Sequence, residues 1–346
     1  MTEPLLEVED LTIRYETNQG AVTAVSDANF TVESGKYFGL VGESGCGKST
    51  IAKSIIGALD ANGQVTSGTI KYKGSEIQHL SEKELNRRIR WKEISFIPQS
   101  SMDTLDPLDR ISDQAIRIGK VHGIGEEETM DRFRDLFEVV GLQPSRITDY
   151  PHQFSGGMKQ RVIIALSLLL DPSLVIADEP TTALDVIMQD QIFNYLDDRE
   201  RMGASMILIT HDISLVFESC DHMAVMHGGQ IAETATATEI YDSPRHPYTI
   251  LLQKAFPDIR NPKRELAVID GTPPQLFGEI TQCTFAERCP WAAEECFQTA
   301  PPLEQVSSDD GRESKTHRAA CIREAEVAKD RRREAMDQTT GGARDN

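Results

Sequence analysis

The stretch GESGCGKST, from Gly42 to Thr50, contains the residue types that bind phosphate. Its three glycines let backbone N–H groups point inward around an anion, and the start of the following helix adds its positive end. Lys48 can reach the β- and γ-phosphates of a nucleotide, and the Ser49 hydroxyl can ligate Mg²⁺. The residues expected to bind the nucleotide are Gly42, Glu43, Ser44, Gly45, Cys46, Gly47, Lys48, Ser49 and Thr50.

A second stretch, LVIADEP, ends in two neighbouring carboxylates. Asp178, at the end of an apolar strand, can hold Mg²⁺ through water, and Glu179 beside it can polarise an attacking water. Alone, such a pair can equally cap a strand, but together with the glycine-rich loop it is much more specific. Glu179 is therefore the expected catalytic base.

A third stretch, FSGGMKQR, places Ser155, Gly156 and Gly157 immediately before a long helix. This is again a helix start that can bind an anion. Because one nucleotide needs only one phosphate loop, the second helix start predicts a nucleotide held by a neighbouring subunit.

The cysteines form a fourth group. Cys283, Cys289, Cys296 and Cys321 cluster in the tail, with gaps wider than the C-x-x-C pairs usual for structural zinc. Four thiolates can hold Zn²⁺ or a 4Fe-4S cluster, and unmetallated thiols are a third alternative. His317 could replace one ligand, or be a surface histidine. Cys46, within the phosphate loop, is either a small tolerated residue or a redox sensor, because a helix N-terminus lowers the pKa of a thiol.

The elements that position these residues follow from hydrophobic patterning. LEVEDLTIRY and AVTAVSDANFTV indicate antiparallel strands, and MAVMHGGQIAE indicates a hairpin. KYFGLVG predicts a strand leading into the loop, and STIAKSIIGAL the helix after it. SLVIADEP and SMILITHD are wholly apolar, as in parallel strands covered on both faces, with QIFNYLDDRERM as the crossover helix between them. The region from about residue 100 to 150 is helical.

The amino-acid composition indicates which binding partners and which cellular compartment to expect for this chain. The formal net charge of -19 over 346 residues disfavours nucleic acid as a partner. The acidic surplus can also mark a salt-rich cytoplasm, which remains an alternative. No apolar run is long enough to span a membrane, and MTEPLLEVEDL lacks the basic start of a secretory signal. A cytoplasmic location is expected, where cysteines are metal ligands or buried thiols rather than disulfides.

Together these stretches resemble the ATP-binding subunit of ABC transporters over about residues 5–240. FSGGMKQR is similar to the family signature motif, although Phe154 and Met158 replace the commonest Leu and Gln. The resemblance implies two ATPase domains arranged head to tail, with each ATP between the phosphate loop of one and the signature of the other. It also assigns roles to single residues: Tyr15 stacks on adenine, Gln99 contacts Mg²⁺ and senses the membrane subunits, Asp185 in ALD lies in the loop crossing the dimer, and His211 contacts the γ-phosphate.

The C-terminal part of the sequence, here called the tail, narrows the resemblance to one branch of the family. SPRHPYTILLQKAFP, GTPPQL and CTFAERCPWAAEEC resemble the C-terminal extension of the oligopeptide/dipeptide importers, and PHQFSGGMKQR and ADEPTTALDV match that branch. The resemblance implies the first ATPase of a heterodimeric pair, two permeases, an extracytoplasmic solute-binding protein, and a place on the cytoplasmic face of the membrane. It also implies a 4Fe-4S cluster on the four tail cysteines. Peptides are the default solute, with nickel and oligosaccharides as alternatives. A soluble, non-transport ABC ATPase is the alternative class.

The expected fold is therefore α/β: a P-loop NTPase of the ABC type, with a parallel core sheet, an antiparallel β subdomain and a helical subdomain. We predict a nucleotide-binding domain at 1–242, with the helical subdomain at about 100–165. A small, separate cysteine-rich module follows at 243–325, and a polar tail at 326–346.

Overall fold

A computed structural model describes residues 4–99, 104–180, 203–256, 268–272, 274, 276–307 and 313–330. The strands in chain order are β1 (Pro4–Thr17), β2 (Gly20–Glu33), β3 (Tyr37–Val41), β4 (Gly63–Tyr72), β5 (Ser75–Glu76), β6 (Ile94–Ile97), β7 (Leu174–Asp178), β8 (Ser205–Thr210), β9 (His222–His227), β10 (Gln230–Thr236), β11 (Glu304–Ser307) and β12 (Glu313–Ala319). The α-helices are α1 (Lys48–Ile55), α2 (Glu82–Arg88), α3 (Ile111–Val121), α4 (Glu126–Val139), α5 (Gly156–Leu168), α6 (Ile213–Ser219), α7 (Ala237–Asp242) and α8 (Pro247–Ala255).

A small antiparallel sheet has the strand order β2-β1-β4-β5. Its β1 and β2 are the two strands predicted from alternating apolar residues, and they pair antiparallel. Leu6, Val8, Leu11 and Ile13 of β1 are buried. The apolar face of this sheet therefore packs against the rest of the domain.

A large sheet has the order β11-β12-β10-β9-β3-β8-β7-β6. Its strands β9, β3, β8, β7 and β6 run parallel to one another. Every residue of β3, β7 and β8 is buried, as expected for parallel strands covered on both faces. The parallel pairing predicted for SLVIADEP and SMILITHD is confirmed. The predicted crossover helix QIFNYLDDRERM lies outside the described residues.

Helices α3, α4 and α5 occupy the region predicted to be helical. α4 buries Phe133 and Phe137, whose ring centres lie 4.8 Å apart in an edge-to-face arrangement. These rings join the cluster of buried side chains that also contains residues of β7 and α5. The helical region is thereby anchored to the core sheet.

The tail joins the core sheet, and the separate small cysteine-rich module that was expected is not confirmed. β12 pairs antiparallel with β10, placing Ala319 opposite Glu233. The buried Glu233 carboxylate accepts hydrogen bonds from the backbone N–H groups of Arg245 and His246, and lies 2.7 Å from His317 Nε2. His317 is therefore a buried partner of Glu233 and not a surface histidine. The boundary at residues 242 and 243 stays a prediction.

Within these described ranges, no helix combines the length and the apolarity that crossing a bilayer would require.

Candidate functional site

Four adjacent parallel strands bring several of the predicted site residues to one edge of the large sheet. β3 ends at Val41, directly before the phosphate loop, and β7 ends at Asp178, directly before Glu179. His211 follows the last residue of β8, and Gln99 lies two residues beyond the end of β6. The carboxyl ends of neighbouring parallel strands meet at one edge, which is where α/β sheets bind ligands.

The phosphate loop has a backbone that only glycine allows at two of its positions. Gly47, the N-cap of α1, has φ 107°, and a Cβ there would lie 2.4 Å from the backbone oxygen of Ala24. A Cβ on Gly42 would lie 2.2 Å from the backbone oxygen of Met226. The loop is therefore held close to neighbouring backbone, in a conformation that only glycine adopts readily at these positions.

Lys48 is only 6% exposed and lies against the loop. Its Nζ donates hydrogen bonds to the backbone oxygens of Gly42 and Glu43, at 2.7 and 2.8 Å. A cavity of about 320 Å³ separates Gly42 and Glu43 from His211, on the far side of the site. The structure thus places His211 across a cavity from the loop.

Asp178 is buried at the end of β7, near the Ser49 hydroxyl at the start of α1. Burial raises the pKa of Asp178, the Ser49 hydrogen bond lowers it, and the charge of Glu179 raises it further. A hydroxyl and a carboxylate with nearby phosphate oxygens form the all-oxygen ligand set that Mg²⁺ prefers. The residues therefore fit the predicted magnesium site.

Glu179 is the centre of the hydrogen-bonded cluster at this edge. Its Oε2 accepts a hydrogen bond from Gln99 Nε2 at 2.8 Å, and its Oε1 lies 3.0 Å from His211 Nδ1. Because a carboxylate only accepts, Nδ1 of His211 donates this hydrogen bond. The φ of Glu179 is 47°, a left-handed conformation that is uncommon for residues other than glycine and often found at functional sites.

Ser155 is the N-cap of α5 and is exposed, and its Oγ accepts a hydrogen bond from Met158 N. Within the described chain, the cavities beside Gly42 and Gly45 have no lining residue from α5. The structure therefore does not bring Ser155, Gly156 and Gly157 into the phosphate-loop cluster of the same chain.

The two departures from the signature motif have structural partners. Phe154 is buried, and the Arg146 guanidinium lies 4.4 Å from the centre of its ring. Arg146 also donates from Nη1 to the Met158 sulfur at 3.7 Å. Both side chains therefore contribute to packing at the start of α5.

Tyr15 lies on β1 opposite Val22 and Gly63, where its ring packs so closely that a Cβ on Gly63 would be 2.6 Å from it. Nearby, a cavity of about 560 Å³ lies between the β1–β2 turn, Gly45 and the tail residue Phe277. Tyr15 does not line that cavity. Asp185, the remaining predicted nucleotide contact, lies outside the described residues.

Several residues near the phosphate loop could not be identified from any sequence motif. Phe277 lines the cavity at Gly45, Tyr248 accepts a hydrogen bond from the backbone N–H of Glu43, and Arg288 pairs with the Glu43 side chain. All three follow the predicted nucleotide-binding domain in the chain. Contacts between distant parts of the chain bring them near, such as the bridge between Phe277 and Val22 of β2.

Cys46 is buried in the loop, with an exposed fraction of 2%. Burial raises the pKa of its thiol, and this effect exceeds the opposing effect of Lys48. The low thiol pKa on which the redox-sensing alternative depended is therefore not found.

The prediction of a 4Fe-4S cluster is wrong, and the zinc alternative has no better support. Among the described residues, which include Cys283, Cys289, Cys296 and Cys321, no group of three or more His, Cys, Asp or Glu side chains is arranged to hold a metal ion. Cys296 is buried, and Cys283, Cys289 and Cys321 are partly buried. Burial raises the pKa of Cys283, that of Cys289 to about 11 and that of Cys321 to about 12, so these thiols stay protonated at neutral pH.

Comparison with known proteins gives two family matches. The family described as "ABC transporter" matches residues 25–182. The family described as "Oligopeptide/dipeptide transporter, C-terminal region" matches residues 232–296. The two matches cover the phosphate loop and most of the extension.

Similar proteins of known name cover almost the whole chain. The oligopeptide transport ATP-binding protein OppD of Haemophilus influenzae is 42% identical over 304 residues, which are 87% of this chain and 93% of that protein. The dipeptide transport ATP-binding protein DppD of Escherichia coli is 38% identical, covering 90% of this chain and 96% of that one.

Among solved structures, a dimeric post-hydrolysis state of the ATP-binding cassette MJ0796 bound to ADP and Pi superposes with a TM-score of 0.61. It is 26% identical and covers 67% of this chain and 98% of its own. The expected ABC cassette fold is therefore confirmed. The chain belongs to the ABC transporter ATP-binding proteins, in the branch that contains the oligopeptide and dipeptide transport subunits.

Proposed function

We propose that this protein is the ATP-hydrolysing subunit that powers import of peptides through partner permeases. The observation that carries the ATPase assignment is the cluster of Glu179 with Gln99 and His211, beside Lys48 and Asp178. The peptide assignment is supported by relatives named for oligopeptide and dipeptide transport. Neither relative is named for nickel, for oligosaccharides or for a task other than transport.

The phosphate loop binds the triphosphate through its N–H groups and Lys48, and Tyr15 stacks on the adenine. Ser49 and Asp178 would hold Mg²⁺, and Gln99 would be a further contact for it. Mg²⁺, when bound, neutralises negative charge on the phosphates.

Glu179 orients the attacking water and accepts its proton, because its carboxylate is held at both oxygens. His211 keeps that carboxylate in place through Nδ1 and presents Nε2 towards the γ-phosphate position. Phosphoryl transfer depends mostly on such positioning. The positions of Lys48, Asp178, Glu179, Gln99 and His211 near one edge of the large sheet support this proposal.

The exposed start of α5 supports a dimer. Ser155, Gly156 and Gly157 are proposed to contact the ATP bound by a second, related ATPase subunit, whose own signature covers the ATP on this chain. Asp185 is proposed to lie in the loop that crosses between the two. Closing this heterodimer is the step that does mechanical work.

A groove beside Gln99 is the proposed permease contact. It has a volume of about 540 Å³ and apolar walls that include Trp91, Phe96, Leu105 and Ile118. We assign it to a short apolar segment of a permease, because Gln99 follows β6 closely and contacts Glu179 directly. A movement of the permease segment in the groove would then be transmitted through Gln99 to the Glu179 carboxylate. With this contact and a solute-binding protein outside the cell, the proposed location of the protein is the cytoplasmic face of the membrane.

Glu179→Gln tests the catalytic assignment. The amide keeps the shape of the side chain but cannot accept the proton, so we expect hydrolysis to fall by about 10²- to 10⁴-fold while ATP still binds. The matched control is Glu138→Gln, at an exposed position of α4. Unimpaired hydrolysis would remove Glu179 from this role.

Uptake of a radiolabelled peptide into vesicles containing the co-purified permeases tests the transport assignment. ATP-dependent uptake is expected with the wild-type subunit and not with Glu179→Gln. A purified ATPase that never associates with permeases would contradict it.

A further inference from the structure

A largely buried ion pair connects the tail with the phosphate loop. Arg288 ends a short 3₁₀ turn, Ala286–Arg288, directly before Cys289. Its Nη1 and Nη2 donate to the two carboxylate oxygens of Glu43, at 2.8 and 2.7 Å. The two side chains are 8% and 22% exposed, so this two-pronged pair is largely shielded from water. Such forked pairs fix geometry as well as charge.

Arg288 is itself held by its surroundings. Its Nε donates to the backbone oxygen of Asp270 at 2.7 Å, and its guanidinium lies 5.7 Å from the centre of the Phe285 ring. Nη1 is also 3.3 Å from His227 Nε2. Burial lowers the pKa of His227 to about 3, so this imidazole is neutral and Nε2 can accept. The guanidinium is thus pre-oriented towards Glu43.

Glu43 is held at its backbone as well as at its side chain. Its N–H donates to Tyr248 Oη at 2.9 Å, and its C=O accepts from Lys48 Nζ at 2.8 Å. Tyr248, on α8 (Pro247–Ala255), is fully buried. Residue 43 therefore links the tail to the lysine that serves the phosphates.

We propose that Arg288 is a positioning residue for nucleotide binding, which holds the phosphate loop through Glu43 and compensates a carboxylate charge next to the triphosphate site. This inference rests on the proposed function. Without Arg288, a shielded carboxylate would be left unpaired beside a polyanion, and like charges in such a place repel strongly. The ATP site is therefore completed by the C-terminal extension.

The test is direct titration of the purified full chain with a fluorescent ATP analogue, which requires no hydrolysis and no partner. Arg288→Ala is expected to weaken binding about tenfold. Arg288→Lys keeps the charge without the fork, so an intermediate affinity is expected. Glu43→Gln combined with Arg288→Ala is expected to recover most of the affinity, because the unpaired charge is gone. The control is Arg318→Ala, at an exposed position of β12 in the same extension.

Unchanged affinity in Arg288→Ala would overturn the proposal. So would a double variant that binds no better than Arg288→Ala, because the loss would then come from a disturbed extension and not from the carboxylate charge. Thermal melting of each variant reports on folding separately. If the wild-type chain bound no nucleotide at all, the proposed function itself would fail, which is a different result from an unaffected Arg288→Ala.

Discussion

Two helices of this protein begin with similar sequences but in different surroundings. α1 begins after the glycine-rich phosphate loop, and α5 begins directly after Ser155, with two glycines as its first residues. At α1, the chain's own Lys48 and Asp178 are buried against the loop, with exposed fractions of 6% and 4%. At α5, Ser155 is exposed and its hydroxyl caps only its own helix.

The difference shows that sequence reveals the capacity of a helix start to bind an anion, whereas the fold decides which molecule supplies the other contacts. α1 follows β3, which has parallel neighbours on both sides, so strand ends surround it. α5 follows a chain of helices and short turns. An exposed helix start is what the proposed heterodimer requires.

The largest expected difference is in the ATP affinity of the isolated chain, between Lys48→Ala and Ser155→Arg. Losing a buried cation that contacts phosphate costs about 3 kcal/mol, so ATP affinity of the isolated chain should fall by roughly 100-fold. Ser155→Arg should leave that affinity unchanged but block hydrolysis in the assembled transporter. Fluorescence titration and ATPase assays measure the two effects. Weaker ATP binding by isolated Ser155→Arg would mean that α5 serves its own chain.

A smaller difference is expected in the free energy of unfolding, between Gly47→Ala and Gly156→Ala. Gly47 has φ 107°, and its Cβ would be 2.4 Å from a backbone oxygen, so alanine should destabilise the fold by about 2–4 kcal/mol. Gly156 has helical backbone, where alanine should be neutral or stabilising by up to about 1 kcal/mol. Urea denaturation measures both. Equal destabilisation would show that the two glycines have the same structural task.

The smallest effect should come from Phe154→Leu, which restores the commonest residue of the signature. Loss of ring packing and of the Arg146 contact should cost about 1 kcal/mol, with ATP affinity of the isolated chain unchanged. Thermal melting measures the cost. A loss above about 3 kcal/mol would show that the aromatic ring is a main anchor of α5.

The parallel strands and the place of Glu179 at a strand end could be predicted from local patterns, whereas Gln99 and His211 were assigned through the resemblance to the family. Apolar runs define the parallel strands, and residues directly after such strands must meet at one edge. Gln99, Glu179 and His211 did so. The left-handed φ of Glu179 has no counterpart in these patterns, because it depends on how the chain leaves β7.

The cysteines could not be predicted in the same way. They lie on short turns, where spacing along the chain does not determine where a thiol points. Cys283 N donates to the backbone oxygen of Cys296 at 3.0 Å, so backbone contacts shape this segment. Arg288 and Glu43, 245 residues apart, form a pair that no local pattern indicates.

The pairing of β12 with β10 has a consequence for solubility. Without the last strands, β10 would present an open row of N–H and C=O groups, which is a template for aggregation with other chains. In the described structure the outermost strand is β11, only four residues long, with Glu304 and Gln305 exposed. Short, charged edge strands resist such pairing. Truncation after β10 should therefore give a protein that precipitates even before its nucleotide binding can be measured.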